Sequence, residues 1–430
     1  EEAAVRKVFD KIVAHHDALR MVYRIREDGV TQYNRGVQED LYSLEIVDLR
    51  NEDAYETKIT KIANQIQSSI DLAKGPLVKL GLFKTITGDH LLIVSHHLVI
   101  DGVSWRIMLE DFATAYGQVS QSLEIALPLK TDSFKEWAEK QLAYAQSKEI
   151  KREIPYWKNL EAMDITRLPR DYQIQTNQIK DSKNLTVSLS AAETETLLKQ
   201  VNQTYHTEIN DILLTALGMA VREWSGASKV LINLEGHGRE EIIEGIDISR
   251  TVGWFTTAYP VVLDMTKAED LSYQIKYIKE SIRKIPNKGI GYGILKYLTP
   301  SGLKEPLKFS LKPEISFNYL GQFDQDMATA TGIFDVSPLS DGEPVSANNE
   351  RQYAIDINGM VAGGRLVLTF RYDQNEYREE TVRQLTDGYK RNLLEVVGHC
   401  VEKESELTPS DLGDKELSLE ELQDIADLIE

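Results

Sequence analysis

Cysteine is almost absent from this chain of 430 residues, which contains only Cys400. A single thiol excludes an internal disulfide and a metal cluster built on several cysteines. Long apolar runs are absent as well, because no stretch approaches the roughly 20 residues that span a bilayer and no signal-peptide pattern opens the chain. These absences predict a soluble, cytoplasmic protein in which Cys400 is a small buried hydrophobe on a helix.

Positive charge is scarce relative to negative charge. The chain has 68 acidic residues against 49 lysines and arginines, a net charge of −19, which argues against nucleic acid and anionic membranes as partners. Residues 402–430 hold eleven acids and two lysines, almost half of this surplus. We therefore predict that residues 408–430 form an acidic linker that ends in a short helix and leads to a following domain.

The length of 430 residues exceeds what one hydrophobic core usually organises, so we expect two lobes of roughly 200 residues each. Helical periodicity alternates with apolar, strand-like runs, which predicts an α/β fold with mixed sheets covered by helices. The sequence turns polar and aperiodic after Leu168-Pro169. The predicted lobes are therefore residues 1–170 and 171–407.

A pair of histidines marks the first candidate site. Residues 90–100 are nearly all apolar and predict a buried strand that ends at Asp101-Gly102, with Ser104 capping a following helix. Successive strand side chains point to opposite faces, so one of His96 and His97 is expected to be functional and the other structural. The same divergence argues against a metal site, and no nucleophile elbow surrounds Ser104 to support a hydrolase.

A carboxylate marks the second candidate site. Glu235 ends the apolar run 229–234, and the following Gly236-His237-Gly238 lets the backbone turn sharply, so that the carboxylate faces open space. This carboxylate either pairs with a cation such as Arg239 or takes part in chemistry. The glycines at 289, 291 and 293 lack the flanking strand and helix of a dinucleotide site and predict a pliable turn.

The sequence resembles the condensation-domain superfamily of non-ribosomal peptide synthetases. Its signature is present as His96-His97-x-x-x-Asp101-Gly102, while Ser104-Trp105 and Glu235-Gly-His-Gly-Arg-Glu240 are typical of the epimerization branch. Further agreeing stretches are residues 250–255 with Tyr259-Pro260, residues 289–293 and residues 317–323. The resemblance implies two chloramphenicol-acetyltransferase-like lobes that form a V-shaped pseudo-dimer.

The resemblance also implies a reaction. Such domains equilibrate the L and D configurations at the α-carbon of an aminoacyl or peptidyl thioester, which is delivered on the 4′-phosphopantetheine arm of the upstream carrier domain. No cofactor of the domain itself is implied, and the downstream condensation domain of the next module is a second expected partner. The residue types suit proton transfer, because imidazole titrates near neutrality and a partly desolvated carboxylate can be tuned towards the same range.

Roles for individual residues follow from the resemblance. His97 and Glu235 are expected to form an acid/base pair, one from each lobe, on opposite faces of a planar enolate. Alternatively, His97 stabilises the enolate oxygen and Glu235 is the main proton shuttle. Tyr319 is a third catalytic candidate, as hydroxyl donor or proton carrier, with aromatic packing as the structural alternative. The expected supporting residues are Asp101, Arg239, His96 and Trp105.

Two other functions remain open at this point. A condensation domain would use the same histidine to transfer an acyl group to an amine on a second carrier, and a non-catalytic scaffold would only dock carrier domains. A helix ending near Ile285 carries Lys276, Lys279, Arg283 and Lys284. These basic residues predict a solvated face, or, alternatively, a contact surface for an acidic carrier domain.

Overall fold

Segments distant in sequence fold together into two units. The computed structural model describes residues 1–27, 29–37, 40–173, 176–267, 270–322, 334–413 and 417–429. Unit 1 comprises residues Glu1–Lys140, Ile243–Thr256 and the described part of Gln325–Ser346, and unit 2 comprises the other described residues. The observed division therefore differs from the expected boundary at residue 170, because two later segments fold with the N-terminal part of the chain.

Unit 1 contains a small mixed sheet, a separate hairpin and several helices. Its strands are β1 (Met21–Arg26), β2 (Gly29–Asn34), β3 (Ser43–Asp48), β4 (Val78–Thr85) and β5 (Gly88–Ser95). Its helices are α1 (Glu2–His15), α2 (Tyr55–Ser68), α3 (Gly102–Ser120) and the first part of α4 (Phe134–Tyr144). Strands β1 and β2 form an antiparallel hairpin, whereas β4 pairs with β3 in parallel and with β5 antiparallel.

The main core of unit 1 lies where α1 and α3 pack side by side. Helical spacing places Val8, Phe9 and Ile12 of α1 on one buried stripe. This stripe meets Met108 and Phe112 of α3 in the same cluster. The packing fixes α3, and with it the turn that precedes α3, relative to the rest of unit 1.

Unit 2 is built on a larger mixed sheet. Its strands are β6 (Ser182–Ser188), β7 (Lys229–Gly236), β8 (Thr257–Asp264), β9 (Ile315–Gln322), β10 (Ile355–Ala362) and β11 (Arg365–Asp373). They are arranged in the order β6-β11-β10-β9-β7-β8. The pairs β7–β9 and β9–β10 are parallel and the others antiparallel, which confirms the predicted α/β class with mixed sheets.

The helices of unit 2 include two long ones that lie against each other. All the α-helices described in this unit are α5 (Lys148–Lys151), α6 (Ile154–Glu161), α7 (Ala191–Lys199), α8 (Asn202–Tyr205), α9 (Ile209–Ser225), α10 (Leu271–Arg283), α11 (Ile290–Gly293), α12 (Ser301–Lys304), α13 (Glu379–Glu402) and α14 (Leu419–Ile429). Helices α9 and α13 pack together, and Cys400 of α13 is buried, as predicted. Among the described residues, no helix combines the length and apolar character needed to cross a bilayer.

The beginning of the acidic tail is part of unit 2. Lys279 of α10 is 1% exposed and donates hydrogen bonds to Asp411, Thr408 and the backbone carbonyl of Tyr205. The neighbouring Glu280 accepts hydrogen bonds from Ser410. Residues 408–412 are therefore integrated into unit 2, which corrects the expectation that a separate linker begins at residue 408.

The basic helix α10 is correspondingly not a solvated face. Besides the buried Lys279, Lys276 pairs with Glu406 at 2.8 Å. Arg283 forms an ion pair with the fully buried Asp211, with a 2.7 Å contact. These three cations are paired within unit 2, whereas Lys284 is exposed, and a contact with an acidic carrier domain stays a prediction.

Candidate active site

The histidine motif of unit 1 occupies the connection from β5 to α3. Strand β5 ends at Ser95, five residues earlier than predicted, and residues His97–Val99 form a 3₁₀ turn. The N-cap of α3 is Asp101, whose Oδ1 accepts a hydrogen bond of 2.7 Å from the backbone N–H of Ser104. The predicted cap, Ser104, lies inside the first turn of the helix instead, because the helix begins directly after Asp101.

The two histidines have different environments. The Nδ1 atom of the half-buried His96 accepts a hydrogen bond from the backbone N–H of Leu98 at 3.2 Å. Burial, followed by the charge of His97, lowers the pKa of His96. The imidazole of His97 is exposed and lies against the indole of Trp254, with 5.1 Å between ring centroids. His97 is thus the more exposed histidine of this pair.

Asp101 holds a second segment besides the helix. Its Oδ2 accepts a hydrogen bond of 2.9 Å from the backbone N–H of Phe255, and Asp101 is 1% exposed. A buried carboxylate with these two backbone donors holds both segments in place. Trp105, another expected supporting residue, is half-buried and packs against the core of unit 1.

The candidate carboxylate of unit 2 is oriented by an amide that sequence reasoning missed. Glu235 is the penultimate residue of β7, is half-buried, and its Oε2 accepts a hydrogen bond of 2.8 Å from Nδ2 of Asn318. The parallel register pairs Leu234 with Phe317, so Glu235 and Asn318 are the next residues along both strands and share a face. The strand 317–323 was recognised in the sequence, but Asn318 was not assigned.

Tyr319 lies on the other face of this sheet. Its neighbour Asn318 shares a face with Glu235, and successive side chains of a strand alternate. Tyr319 pairs with Gly359 of β10, and a Cβ atom on that glycine would lie 3.4 Å from the tyrosine ring. The structure therefore brings Asn318 next to the carboxylate, whereas strand alternation directs Tyr319 to the other face of the sheet.

A different phenol lies within electrostatic reach of Glu235. Burial raises the pKa of Tyr353 to about 12, and the negative charge of Glu235 adds to this rise. Tyr353 precedes β10 and is half-buried. No sequence signal singled out this residue, because its proximity to Glu235 depends on the order of the strands in the sheet.

The turn after Glu235 is fixed by local contacts. Gly238 adopts a φ of +68°, which favours glycine. The Nδ1 atom of His237 accepts a hydrogen bond of 3.0 Å from the backbone N–H of Arg239, and its Nε2 lies 3.2 Å from Glu240. His237 thus has both ring nitrogens within reach of residues of the same turn, and Arg239 is half-buried within this turn.

Of the glycines at 289, 291 and 293, the first two serve close packing near the same strand end. Gly289 has a φ of +84°, and a Cβ atom there would overlap the ring of Tyr259 in β8. A Cβ atom on Gly291 would overlap the carboxylate of Glu153, whose pKa is raised by burial. The absence of side chains at these positions is therefore a packing requirement of unit 2.

One group in unit 1 has the ligand types and spacing of a metal site among the described residues. His15, His16 and Asp111 present ligand atoms within 4.8 Å of one another. However, Asp111 already accepts hydrogen bonds from His16 at 2.8 Å and from the guanidinium of Arg250 at 2.6 Å. The positive charge of Arg250 opposes a metal ion, so we interpret this group as a structural network.

Comparison with known proteins identifies the class to which this fold and these motifs belong. The condensation-domain family profile matches residues 1–418, and the chain belongs to the condensation-domain family. The resemblance found in the sequence is thereby confirmed, together with its mixed α/β fold. The family alone does not distinguish peptide-bond formation from epimerization.

Individual relatives are more specific. The chain is 51% identical over 431 residues to tyrocidine synthase 2 of Brevibacillus parabrevis and 51% identical over 433 residues to gramicidin S synthase 1 of Brevibacillus brevis. The matches include 100% and 98% of this chain but only 12% and 39% of those proteins. This chain therefore corresponds to a small part of two much larger peptide synthases.

A solved structure is similar over nearly the whole chain. The epimerization domain from the third module of tyrocidine synthetase B is 50% identical and superposes with a TM-score of 0.90. The match covers 94% of this chain and 90% of that domain. The fold is thus the one that the epimerization branch of the family adopts.

Proposed function

We propose that this chain epimerises the α-carbon of an aminoacyl or peptidyl thioester bound to the phosphopantetheine arm of a carrier domain. The observation that carries this proposal is the 50% identity to an epimerization domain over 94% of the chain. The motif Glu235-Gly-His-Gly-Arg-Glu240 and its oriented carboxylate are the local features that agree with it. The upstream carrier domain and the condensation domain of the next module are the proposed partners.

The proposed chemistry needs only proton transfer. A base takes the α-proton, the electrons of the C–H bond move into the thioester carbonyl to give an enolate, and a proton then returns to the α-carbon from the opposite face. No group leaves the substrate, and no redox step occurs. The domain therefore needs two acid/base groups and stabilisation of the enolate oxygen.

We assign Glu235 as the main proton-transfer group in unit 2. The Asn318 amide donates to Oε2 of the Glu235 carboxylate at 2.8 Å and thereby orients this group for proton transfer. The same amide stabilises the ionised carboxylate by a charge-assisted hydrogen bond. We assign Tyr319 to packing of β9 because its ring lies on the opposite face of the sheet.

We assign His97 as the second acid/base group or as the donor that stabilises the enolate oxygen. Its imidazole is exposed, whereas that of His96 is half-buried and engaged with the backbone. Imidazole changes protonation near neutral pH, which suits both roles. His96 and Asp101 are assigned to shaping the turn that carries His97.

The experiment is isotope exchange on a loaded carrier. The protein is incubated with an L-aminoacyl carrier domain in heavy water, and the product is analysed for deuterium at the α-carbon and for its D/L ratio. The proposal predicts both exchange and a D/L mixture. The absence of exchange on every upstream carrier tested would refute it, and peptide-bond formation with a second loaded carrier would identify a condensation domain instead.

Variants separate catalysis from scaffolding. Glu235→Gln and His97→Gln are each expected to reduce exchange by about 10²-fold or more while leaving the thermal unfolding temperature unchanged. His237→Gln is the matched control in the same turn as Glu235, and we expect near-normal exchange. Normal exchange in both Glu235→Gln and His97→Gln would contradict the assigned roles.

A further inference from the structure

Trp254 is a large aromatic side chain that stays exposed next to the candidate catalytic histidine. It is 43% exposed and lies in residues 243–256, which contain neither helix nor strand. Its indole centroid is 5.1 Å from that of the His97 imidazole, and the two rings are tilted by 59°. An irregular backbone ordinarily leaves such a side chain free to move unless other contacts hold the segment.

Both neighbours of Trp254 are held by residues of the histidine motif. The hydroxyl of Ser104 donates to the carbonyl of Gly253 at 2.9 Å and accepts from the N–H of Gly253 at 3.1 Å. The carboxylate of Asp101 accepts from the N–H of Phe255 at 2.9 Å. Ser104 and Asp101 are almost completely buried, where hydrogen bonds are costly to break.

Packing constrains the same backbone further. A Cβ atom on Gly253 would overlap the ring of Phe134. Phe255 packs edge-on against Phe134 at 5.2 Å and also contacts Trp137. These contacts pack the backbone closely on both sides of Trp254.

A charged network anchors the upstream end of the segment. The guanidinium of Arg250 donates to the buried Asp111 at 2.6 Å, and Asp111 also binds His16 of the α1 C-terminus at 2.8 Å. The hydroxyl of Thr251 bonds that of Thr131 at 2.8 Å. The segment is therefore bound at Arg250, Thr251, Gly253 and Phe255, while the side chain of Trp254 points towards His97.

We propose that Trp254 is a positioning residue for His97. This inference rests on the proposed function and adds a residue to it. The rigid segment places the indole so that the imidazole is kept in one orientation, and the indole surface stabilises the imidazolium form that proton transfer generates. The aromatic contact would raise the share of the productive imidazole orientation by about 2- to 10-fold.

The first test is a comparison of kinetic constants. Trp254→Leu is expected to lower the kcat of exchange by about 10-fold with little change in the KM for the loaded carrier. Trp254→Phe keeps an aromatic ring and is expected to retain most of the wild-type kcat. Tyr297→Leu is the matched control, because Tyr297 is an aromatic residue that is 75% exposed in unit 2. An unchanged kcat for Trp254→Leu, or a raised KM with unchanged kcat, would overturn the proposal.

The second test does not depend on activity. The difference in tryptophan fluorescence between the wild type and Trp254→Phe isolates the signal of Trp254 from the other four of the five tryptophans. We expect this signal to be quenched as the pH falls through the range in which imidazole is protonated, and we expect His97→Gln to abolish the change. A pH-independent signal in the wild type, or the same quenching in His97→Gln, would overturn the contact itself.

The two tests also separate this inference from the proposed function. If the wild type shows no α-carbon exchange, the epimerase proposal fails, whereas the fluorescence test still decides whether Trp254 senses His97. If the wild type exchanges normally and Trp254→Leu does so equally well, the role of Trp254 fails and the epimerase proposal stands.

Discussion

Replacing Asp411 by Asn should strongly destabilise unit 2. The side chain of Lys279 is 1% exposed, and its ammonium lies 2.7 Å from both carboxylate oxygens of Asp411. It also donates to Thr408 and to the carbonyl of Tyr205, both at 2.8 Å. The substitution leaves this buried cation with neutral partners only.

The expected cost follows from the burial. Removing one partner of a buried ion pair typically costs about 3–5 kcal/mol, because the remaining charge stays desolvated. For a cooperative unit of this size, that loss lowers the unfolding temperature by roughly 6–20 °C. The double variant Lys279→Met with Asp411→Asn removes both charges, and we expect it to recover a large part of the loss.

The assay is urea and thermal unfolding followed by circular dichroism. Lys199→Met is the matched control, since Lys199 pairs with Glu195 on a helix surface where both side chains are more than 60% exposed. This variant should lower the free energy of unfolding by no more than about 0.5 kcal/mol. A free energy of unfolding for Asp411→Asn within about 1 kcal/mol of the wild type would refute the reasoning.

The stability that Asp411 contributes changes with pH in a definite direction. Burial raises the pKa of Asp411, but hydrogen bonds from Lys279 and Thr408 outweigh that effect and hold it below its usual value of 3.8. A carboxyl group whose pKa is lower in the folded state contributes its full stability above the unfolded pKa and loses it as the pH falls through the folded pKa. The difference between wild type and Asp411→Asn should therefore be constant near neutral pH and shrink below about pH 4.

Three further outcomes are expected at other positions. Asn318→Ala should lower α-carbon exchange by about 10- to 100-fold, since the charged hydrogen bond to Glu235 is lost. The control is Asn358→Ala, which replaces an exposed asparagine on the same face of the sheet and should change exchange by less than about 2-fold. Equal effects of the two variants would contradict the role assigned to Asn318. Gly291→Ala should cost about 1–3 kcal/mol in urea unfolding because its methyl group overlaps Glu153, whereas Gly302→Ala, with open space around it, should stay within about 0.5 kcal/mol. Burial raises the pKa of Cys400 to about 12, so iodoacetamide at pH 8 should modify the thiol only after unfolding in urea, and rapid modification of the native protein would show that the thiol is accessible.

Local structure was largely predictable from the sequence where periodicity is strong. The apolar run 229–234 lies within β7, and Cys400 is buried on a helix, as the pattern indicates. The end of β5 was misplaced, because apolar residues continue through the 3₁₀ turn at His97–Val99 and an apolar run does not itself show where hydrogen bonding to the next strand stops. Asp101 and Ser104 both fit an N-cap, and only the observed start of α3 decides for Asp101.

The parts of the candidate site that could not be predicted depend on contacts distant in sequence. Asn318 lies 83 residues from Glu235, and it is adjacent because β9 inserts next to β7 in the sheet. Trp254 is likewise far from His97 in sequence and is brought there by a segment without regular structure. Hydrophobic periodicity reports the face of an element but not its neighbours, so it could not select these two residues.

The pairing of α10 with the tail shows the same limit for charge. In the sequence, the basic side chains of α10 and the acidic residues after 402 both look like surfaces for other proteins. In the structure, Lys276 pairs with Glu406, Lys279 with Asp411, and Lys267, just before α10, with Glu420. Each cluster neutralises part of the other, and the pairing holds Glu406, Asp411 and Glu420 of the tail against other parts of unit 2. A local excess of one charge therefore cannot be assigned to an external partner until the segments of the chain that pack against it are known.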